Sequence, residues 1–344
     1  MRLSNGIGWL GFVLVIVIAT AVLTGRMRRY ALHTGLIDHP NERSSHQRPT
    51  PRGGGLAIVV TSMAGICACA VLGIVPTTLA VAVVGGGIAV ATVGYLDDRY
   101  HLAAGARLSV HFAAALWALF WLGRIPALGV STPLISFSWL GYAVGAFGIV
   151  WALNLFNFMD GIDGIAGSEG GFVTLAGAAL GYLAGMPASV PAASLAVAAA
   201  SVGFLIWNWP PAKIFMGDVG SGYLGYVIAV LAIAASREDP AAVLAWIILG
   251  GVFFVDATVT LLRRIARGER IHVAHRSHAY QWVARRWQSH RRTTVAVTLV
   301  NLVWLLPCAW LALLFPKCAG WITAAALLPL AGLALAAGSG RREN

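Results

Sequence analysis

Residues 139–167 read WLGYAVGAFGIVWALNLFNFMDGIDGIAG. About twenty apolar residues run into a string that places Asn154, Asn157, Asp160 and Asp163 three apart. Residues three apart are neighbours on a helix, but the row drifts by roughly 60° per step. The four groups therefore converge only if the helix unwinds near Gly161 and Gly164. Irregular backbone at membrane depth is tolerated where it lines a polar cavity. The string thus predicts a spanning helix that breaks into a polar site at its end.

The rest of the chain agrees. Of 344 residues, 58% are hydrophobic and only 11% charged, and the mean hydropathy is +0.77, which excludes an ordinary soluble domain. A spanning helix needs about 20 apolar residues. Candidate spans are 7–24, 55–75, 77–96, 108–123, 139–158, 170–186, 188–207, 219–235, 241–262, 293–314 and 318–337. The fold class is all-α: a single polytopic membrane domain over 1–344 with about eleven (10–11) transmembrane helices.

Orientation follows from the basic residues, which favour the cytoplasmic side. With the N-terminus periplasmic and the C-terminus cytoplasmic, the inside loops are 25–54, 97–107, 159–169, 208–218 and 263–292, followed by the tail. Of the 24 Lys and Arg, all but Arg2, Arg124, Arg237 and Lys317 then lie inside. The first helix carries more positive charge after it (Arg26, Arg28, Arg29) than before it (Arg2), as an uncleaved helix does. The net charge of +11 is accounted for by basic loops beside anionic lipid, and no nucleic-acid partner is expected. Cys67, Cys69, Cys308 and Cys318 lack metal-type spacing and read as small buried apolar residues.

Acids that cost about 2.5–3.5 kcal/mol at the bilayer centre recur here at span ends. Asp97-Asp98 point about 100° apart on a helix and share one site if the helix ends there, as Arg99-Tyr100-His101 suggests. In Asn208-Trp-Pro-Pro-Ala-Lys213-Ile-Phe-Met-Gly217-Asp218, the prolines stop a helix. Lys213 suits a phosphate. Asp218 opens the next span, placed to hold Mg²⁺ with substrate phosphates completing the shell. The late loop carries His275, Arg276 and His278, a donor-rich set for a pyrophosphate. In the first loop, Gly53-Gly54-Gly55 would let backbone lie against a bound phosphate, and a plain flexible loop explains the run equally. Asp256, alone deep in a span, reads as a supporting group behind the metal cluster or a bond to a neighbouring helix. Together these suit Mg²⁺-dependent phosphoryl transfer between a soluble phosphate ester and a lipid.

The strings GYLDDRY, NLFNFMDGIDGIAG, PPAKIFMGDVGS and the late HRSHAYQ also resemble the polyprenyl-phosphate N-acetylhexosamine-1-phosphate transferases, the WecA/MraY superfamily of glycosyltransferase family 4, over roughly residues 36–282. RSSHQRPTPRGGG and HRSHAYQ look closest to the WbpL-like branch that initiates O-antigen or related glycans. The resemblance implies transfer of a sugar-1-phosphate from a UDP-N-acetylhexosamine to undecaprenyl phosphate, releasing UMP, in the bacterial inner membrane with the site facing the cytoplasm. It implies that Asp97 and Asp98 orient or deprotonate the lipid phosphate, that Asp98 helps Asp218 hold Mg²⁺ (with Mn²⁺ as the substitute), and that Asn157, Asp160 and Asp163 position the nucleotide sugar and metal. It also implies that a basic residue of the first loop, Arg48 or Arg52, binds phosphate. His275, Arg276 and His278 would grip the diphosphate or sugar, with Asn208 and Lys213 also on the substrate. Much of the superfamily has tandem or alternating histidines in that last loop; Arg276-Ser277 intervene here, which argues against a muramyl-pentapeptide substrate.

Two rivals remain at this point. A transporter or flippase of a phosphorylated or lipid-linked sugar would use acids near mid-membrane and show repeat symmetry, whereas only Asp256 is deep and no repeat stands out. A transferase moving the sugar alone would release UDP. A homodimer is an open arrangement. The orientation makes a direct prediction: in a background lacking the four native cysteines, Arg237→Cys should react with an impermeant thiol reagent from the periplasmic side and Arg267→Cys only from the cytoplasmic side. The reverse labelling would invert the topology.

Overall fold

The computed structural model describes residues 6–40, 48–123, 138–269 and 276–341. The elements run α1 (Gly6–Thr34), a two-residue ribbon of β1 (Ile37–Asp38) and β2 (Thr50–Pro51), α2 (Leu56–Val71), α3 (Thr77–Tyr100), α4 (Ala104–Leu122), α5 (Ser138–Met159), α6 (Ile165–Leu183) and α7 (Ser189–Asn208). They continue with α8 (Asp218–Ser236), α9 (Ala242–Leu249), α10 (Gly251–Ala266), α11 (Ala279–Trp287), α12 (His290–Val300), a π-helical turn (Asn301–Leu305), α13 (Leu306–Leu314) and α14 (Ala319–Ala337).

Eight of these helices are long and apolar enough to cross a membrane, nine when the bent pair α9 and α10 counts as one. A polytopic all-α membrane protein is thus borne out, and the count of eleven is not reached among the described residues. Two expected spans fall short on their own. At 55–75 the helix is α2, of only 16 residues. At 170–186 it is α6, which starts earlier and takes in the buried Glu169. The span expected at 241–262 is broken at Gly250, with α9 and α10 bent by 76°. Cys67 and Cys318 lie exposed, a correction to the expectation that all four cysteines are buried.

Helix α8 is the axis of the molecule. Nearly all of it is buried, and α2, α3, α5, α6 and α7 pack around it. That is why its sequence is apolar on every side, as expected of a helix with no solvent-facing stripe. Its two tyrosines tie it laterally. Tyr223 Oη shares a hydrogen bond with Ser62 Oγ of α2 at 2.8 Å, and Tyr226 Oη donates to Ala82 O of α3 at 2.7 Å. By contrast α1 and α14 present large apolar side chains such as Ile7, Val15, Trp321 and Leu328 outward, as a lipid-facing perimeter does.

One polar contact crosses the interior below the loop at 159–164. Asn301, at the start of the π turn, donates through Nδ2 to Glu169 Oε2 at 2.5 Å, with both residues buried. Leaving a buried polar group without its hydrogen-bond partner costs about 1–3 kcal/mol. Asn301→Leu should therefore lower the thermal unfolding midpoint in detergent by an amount of that order, whereas Glu169→Gln should cost clearly less. Equal effects would mean the contact contributes nothing specific.

Candidate functional site

The polar site forms where α3, α5, α7 and α8 end together. Helix α3 stops at Tyr100 with His101 in the left-handed conformation (φ 52°), so Asp97 and Asp98 sit in its last turn, as the sequence reading required. Asp98 is fully enclosed: Oδ1 accepts the Asp218 N–H at 3.1 Å and Oδ2 the Val219 N–H at 3.4 Å. It therefore caps α8, satisfying donors that a helix start leaves unpaired. Its remaining bond is an ion pair with Arg52. Asp97 Oδ1 accepts the Leu102 N–H at 2.7 Å, and Oδ2 pairs with Arg107 of α4.

Asp218 lies between these pairs and is more open than either aspartate. Arg52 stands 3.8 Å from its Oδ1 and Arg107 3.7 Å from its Oδ2. Asn157 Nδ2 donates to Oδ2 at 3.3 Å, and Asn157 is itself oriented by Ser221 Oγ, which donates to its Oδ1 at 3.1 Å. Gly217 immediately before it has φ 75° and ψ 168°, a region essentially restricted to glycine. A Cβ there would lie 2.5 Å from Asp98 Oδ2.

The string at 154–164 unwinds where expected: α5 ends at Met159, and Gly164 (φ 77°) starts α6. Asp160 is in the gap. Burial, and then the negative charges of Asp218 and Asp98, push its carboxyl well above the usual range, against the pull of Arg52. Arg52 shows the converse. Burial works against its charge, but Asp98 and Asp218, followed by Asp38 and Asp160, outweigh that and raise its pKa above the ordinary value. Asp163 turns the other way: Oδ2 accepts the Ala212 N–H at 3.0 Å, and Oδ1 lies 3.3 Å from His290 Nδ1. Asn208 is internal glue, accepting from Gly164 N at 3.0 Å and donating to Ile214 O at 2.9 Å. Asn154 bonds back to Val150 O of its own helix.

Beside this cluster lies a cavity of about 1080 Å³. Its walls include Arg48, Asp163, Phe215, Gln281, Arg285 and His290. Other expected residues are placed elsewhere. Lys213 is exposed, its ammonium 5.6 Å from the Trp207 ring centre. His278 is buried and caps α11, since its ring is enclosed between α11 and Asp256. Arg276 accepts the Arg285 guanidinium on its backbone carbonyl. Neither lines the cavity wall. His275 lies outside the described residues.

Arg107, Ser221 and His290 were not legible as site residues. Arg107 is ten positions beyond its partner Asp97, across a helix break, and His290 is embedded in a run of arginines that reads as a membrane anchor.

Among the described residues no three His, Cys, Asp or Glu side chains group into a closed metal cage. A hard cation does not need one: Mg²⁺ is commonly held by one or two carboxylates and completed by waters and substrate phosphates. The donors here are all oxygen, and Asp218, Asp98 and Asp160 crowd enough negative charge together to raise Asp160. That donor set fits such a cation, with Asp218 more accessible than the enclosed Asp98.

Comparisons with known proteins agree with this geometry. Residues 80–236 match the model of glycosyl transferase family 4. The chain is 30% identical to a probable undecaprenyl-phosphate N-acetylglucosaminyl 1-phosphate transferase of Bacillus subtilis, over 84% of this chain and 81% of the relative. It is also 30% identical to a decaprenyl-phosphate N-acetylglucosaminephosphotransferase of Mycobacterium tuberculosis (82% and 77%). With a phospho-N-acetylmuramoyl-pentapeptide-transferase of Shouchella clausii it shares 28% identity (86% and 95%).

Gly217→Ala tests the site's backbone. Forcing that φ on a residue with a Cβ costs about 1–3 kcal/mol and drives the methyl at Asp98. The expected outcome is a lowered unfolding midpoint together with loss of function; a variant as stable as wild type would show that the loop before α8 tolerates other conformations.

Proposed function

Because the chain belongs to the polyprenyl-phosphate N-acetylhexosamine-1-phosphate transferase superfamily, we propose that it moves a sugar-1-phosphate from a UDP-N-acetylhexosamine to undecaprenyl phosphate. An oxygen of the lipid phosphate attacks the sugar-bearing phosphorus of the donor. The bond from that phosphorus to the bridging oxygen breaks, UMP leaves with the electron pair, and the sugar stays on the lipid through a diphosphate.

The observation that carries this reading is the pair of arginines set on either side of Asp218 (Arg52 at 3.8 Å, Arg107 at 3.7 Å), next to a large cavity with its own cationic wall. Phosphoryl transfer asks the protein chiefly to position reactants and neutralise charge. Asp97 and Asp98 have their oxygens filled by protein donors, so we assign them to holding Arg107 and Arg52. These two guanidiniums then receive the acceptor phosphate. A phosphate monoester so placed is already a competent nucleophile, which favours direct attack over an aspartyl-phosphate intermediate.

The cavity suits the nucleotide sugar. Arg48, Arg285 and His290 face its diphosphate, while Asp163, Gln281 and Phe215 offer polar and stacking contacts to base or sugar. Mg²⁺, or Mn²⁺ in its place, would be held by Asp218 with Asp160 and the charge of Asp98 behind it, and when bound it supplies neutralisation of the diphosphate. Following the basic-loop asymmetry, this face is assigned to the cytoplasm, with the protein in the bacterial inner membrane. The first-loop and late-loop strings support an O-antigen or related envelope glycan as the pathway.

The deciding measurement is the nucleotide released when purified protein, undecaprenyl phosphate and Mg²⁺ meet a panel of UDP-N-acetylhexosamines. UMP with a lipid-extractable sugar diphosphate is expected, and the best donor names the sugar. UDP release would mean transfer of the sugar alone; no release would revive the transporter. Asp218→Asn should abolish turnover at any Mg²⁺ concentration, and substantial residual activity would remove Asp218 from the cation site.

A further inference from the structure

Asp256 is a buried acid that the reaction leaves without a role. It lies in α10, buried, after the 76° bend. Both its oxygens are spent on the start of α11. Oδ1 accepts the Ala279 N–H at 2.8 Å and Oδ2 the Tyr280 N–H at 3.0 Å. A carboxylate against the first N–H groups of a helix meets both unpaired donors and the positive end of the helix dipole.

Three further contacts make this a junction. His278 Nδ1 lies 3.7 Å from Oδ1, and His278 and Gln281 cap α11 reciprocally. Ser339, just after α14, donates its hydroxyl to Oδ1 at 2.6 Å. The same C-terminal turn is locked by Arg263 Nη1, which donates to Ser339 O at 2.6 Å, and by Gly340 N, which donates to Ser277 O at 2.6 Å.

The other end of the connection reaches the site. Tyr280, whose backbone Asp256 holds, donates its hydroxyl to Phe158 O at 3.2 Å. That hydroxyl presses so closely on Gly161 that a Cβ there would collide with it, and Gln281 Nε2 would be 3.0 Å from the same Cβ. Gly161 sits between Asp160 and Asp163. The placement of α11 therefore sets the unwound loop, and Gln281 and Arg285 of the same helix line the cavity.

We propose that Asp256 is a positioning residue for the nucleotide-sugar side of the reaction, acting through α11 and Tyr280 on the loop 158–164; this rests on the transferase reading. It touches neither substrate nor cation. Its loss weakens donor capture while leaving the Arg52, Arg107 and Asp218 group intact, because those residues are held by Asp97, Asp98 and Asn157.

The test is a pair of variants read three ways. Asp256→Asn keeps the shape but has one acceptor oxygen for two N–H groups. It should raise the donor KM about tenfold or more, with kcat and the lipid KM changed less than about threefold, where tenfold corresponds to about 1.4 kcal/mol. Asp256→Glu should recover part of the loss. Tyr280→Phe removes only the hydroxyl, and its effect on donor KM should be less than additive with Asp256→Asn, as for residues acting in one chain. Amide hydrogen exchange reads the same link without turnover: in Asp256→Asn, protection should fall at 158–164 and 279–282 and stay unchanged at 97–100 and 218–222. Additive KM effects, a parallel rise of the lipid KM, or exchange that loosens everywhere would overturn the proposal. An inactive wild type would sink the transferase reading, yet the exchange pattern would still decide whether Asp256 sets the loop.

Discussion

Asp98 sits where three parts of the chain must meet, and its two oxygens are the reason they do. It takes the first N–H groups of α8, carries the Arg52 of the first loop, and belongs to the last turn of α3. A carboxylate this deeply enclosed is tolerated only when its charge is balanced and its lone pairs are filled. Arg52 supplies the charge, and the start of α8 supplies the donors. Once that arrangement is made, the next residue with an open carboxylate is Asp218, and its position is no longer adjustable. Gly217 is the backbone cost of bringing α8 that close.

The same logic explains how reactive and structural roles divide among the acids. Asp97, Asp98, Asp163 and Asp256 spend their oxygens mainly on backbone N–H groups and protein cations. Asp218 is bonded more loosely, by Asn157 at 3.3 Å and by two arginines at 3.7–3.8 Å, and its charge acts on Asp160 nearby. Like charges held near each other in a confined space favour binding a cation or keeping a proton. The site is thus built from acids committed to the backbone around an acid held mainly by side chains.

Much of this was legible in the chain, and the part that was not has a physical cause. The unwinding at Gly161 and Gly164, the end of α3 at Asp97-Asp98 and the start of α8 at Asp218 follow from local rules: helical spacing, glycine, proline and the penalty for charge in lipid. The bend at Gly250 and the π turn at Asn301 were hidden inside continuous apolar runs, where composition carries no mark of direction. Partners across helices were equally hidden. Arg107 and His290 look like any other loop cation until packing brings them beside Asp97 and Asp163. His278 hides a second role: a histidine in a polar loop reads as a ligand, and packing makes it the cap of α11.

The ribbon formed by β1 and β2 separates two arginines that a linear reading treats alike. Pro51 O accepts from Phe215 N at 2.8 Å, while Gly54 N and Gly55 N donate to Phe215 O and Met216 O, each at 2.9 Å, so Arg52 is clamped on both flanks. Arg48 lies on the far side of Thr50, in the cavity wall, at the mouth of a hairpin closed by the Asp38–Thr50 pairing. The entropy of closing such a connection grows only logarithmically, by about 0.6 kcal/mol per doubling of its length. A longer or shorter connection between Asp38 and Thr50 therefore changes the closure entropy little, and the bonds that hold Arg52 lie outside it. Arg52 is thus fixed by its neighbours on both sides, whereas the place of Arg48 depends on the connection that precedes it.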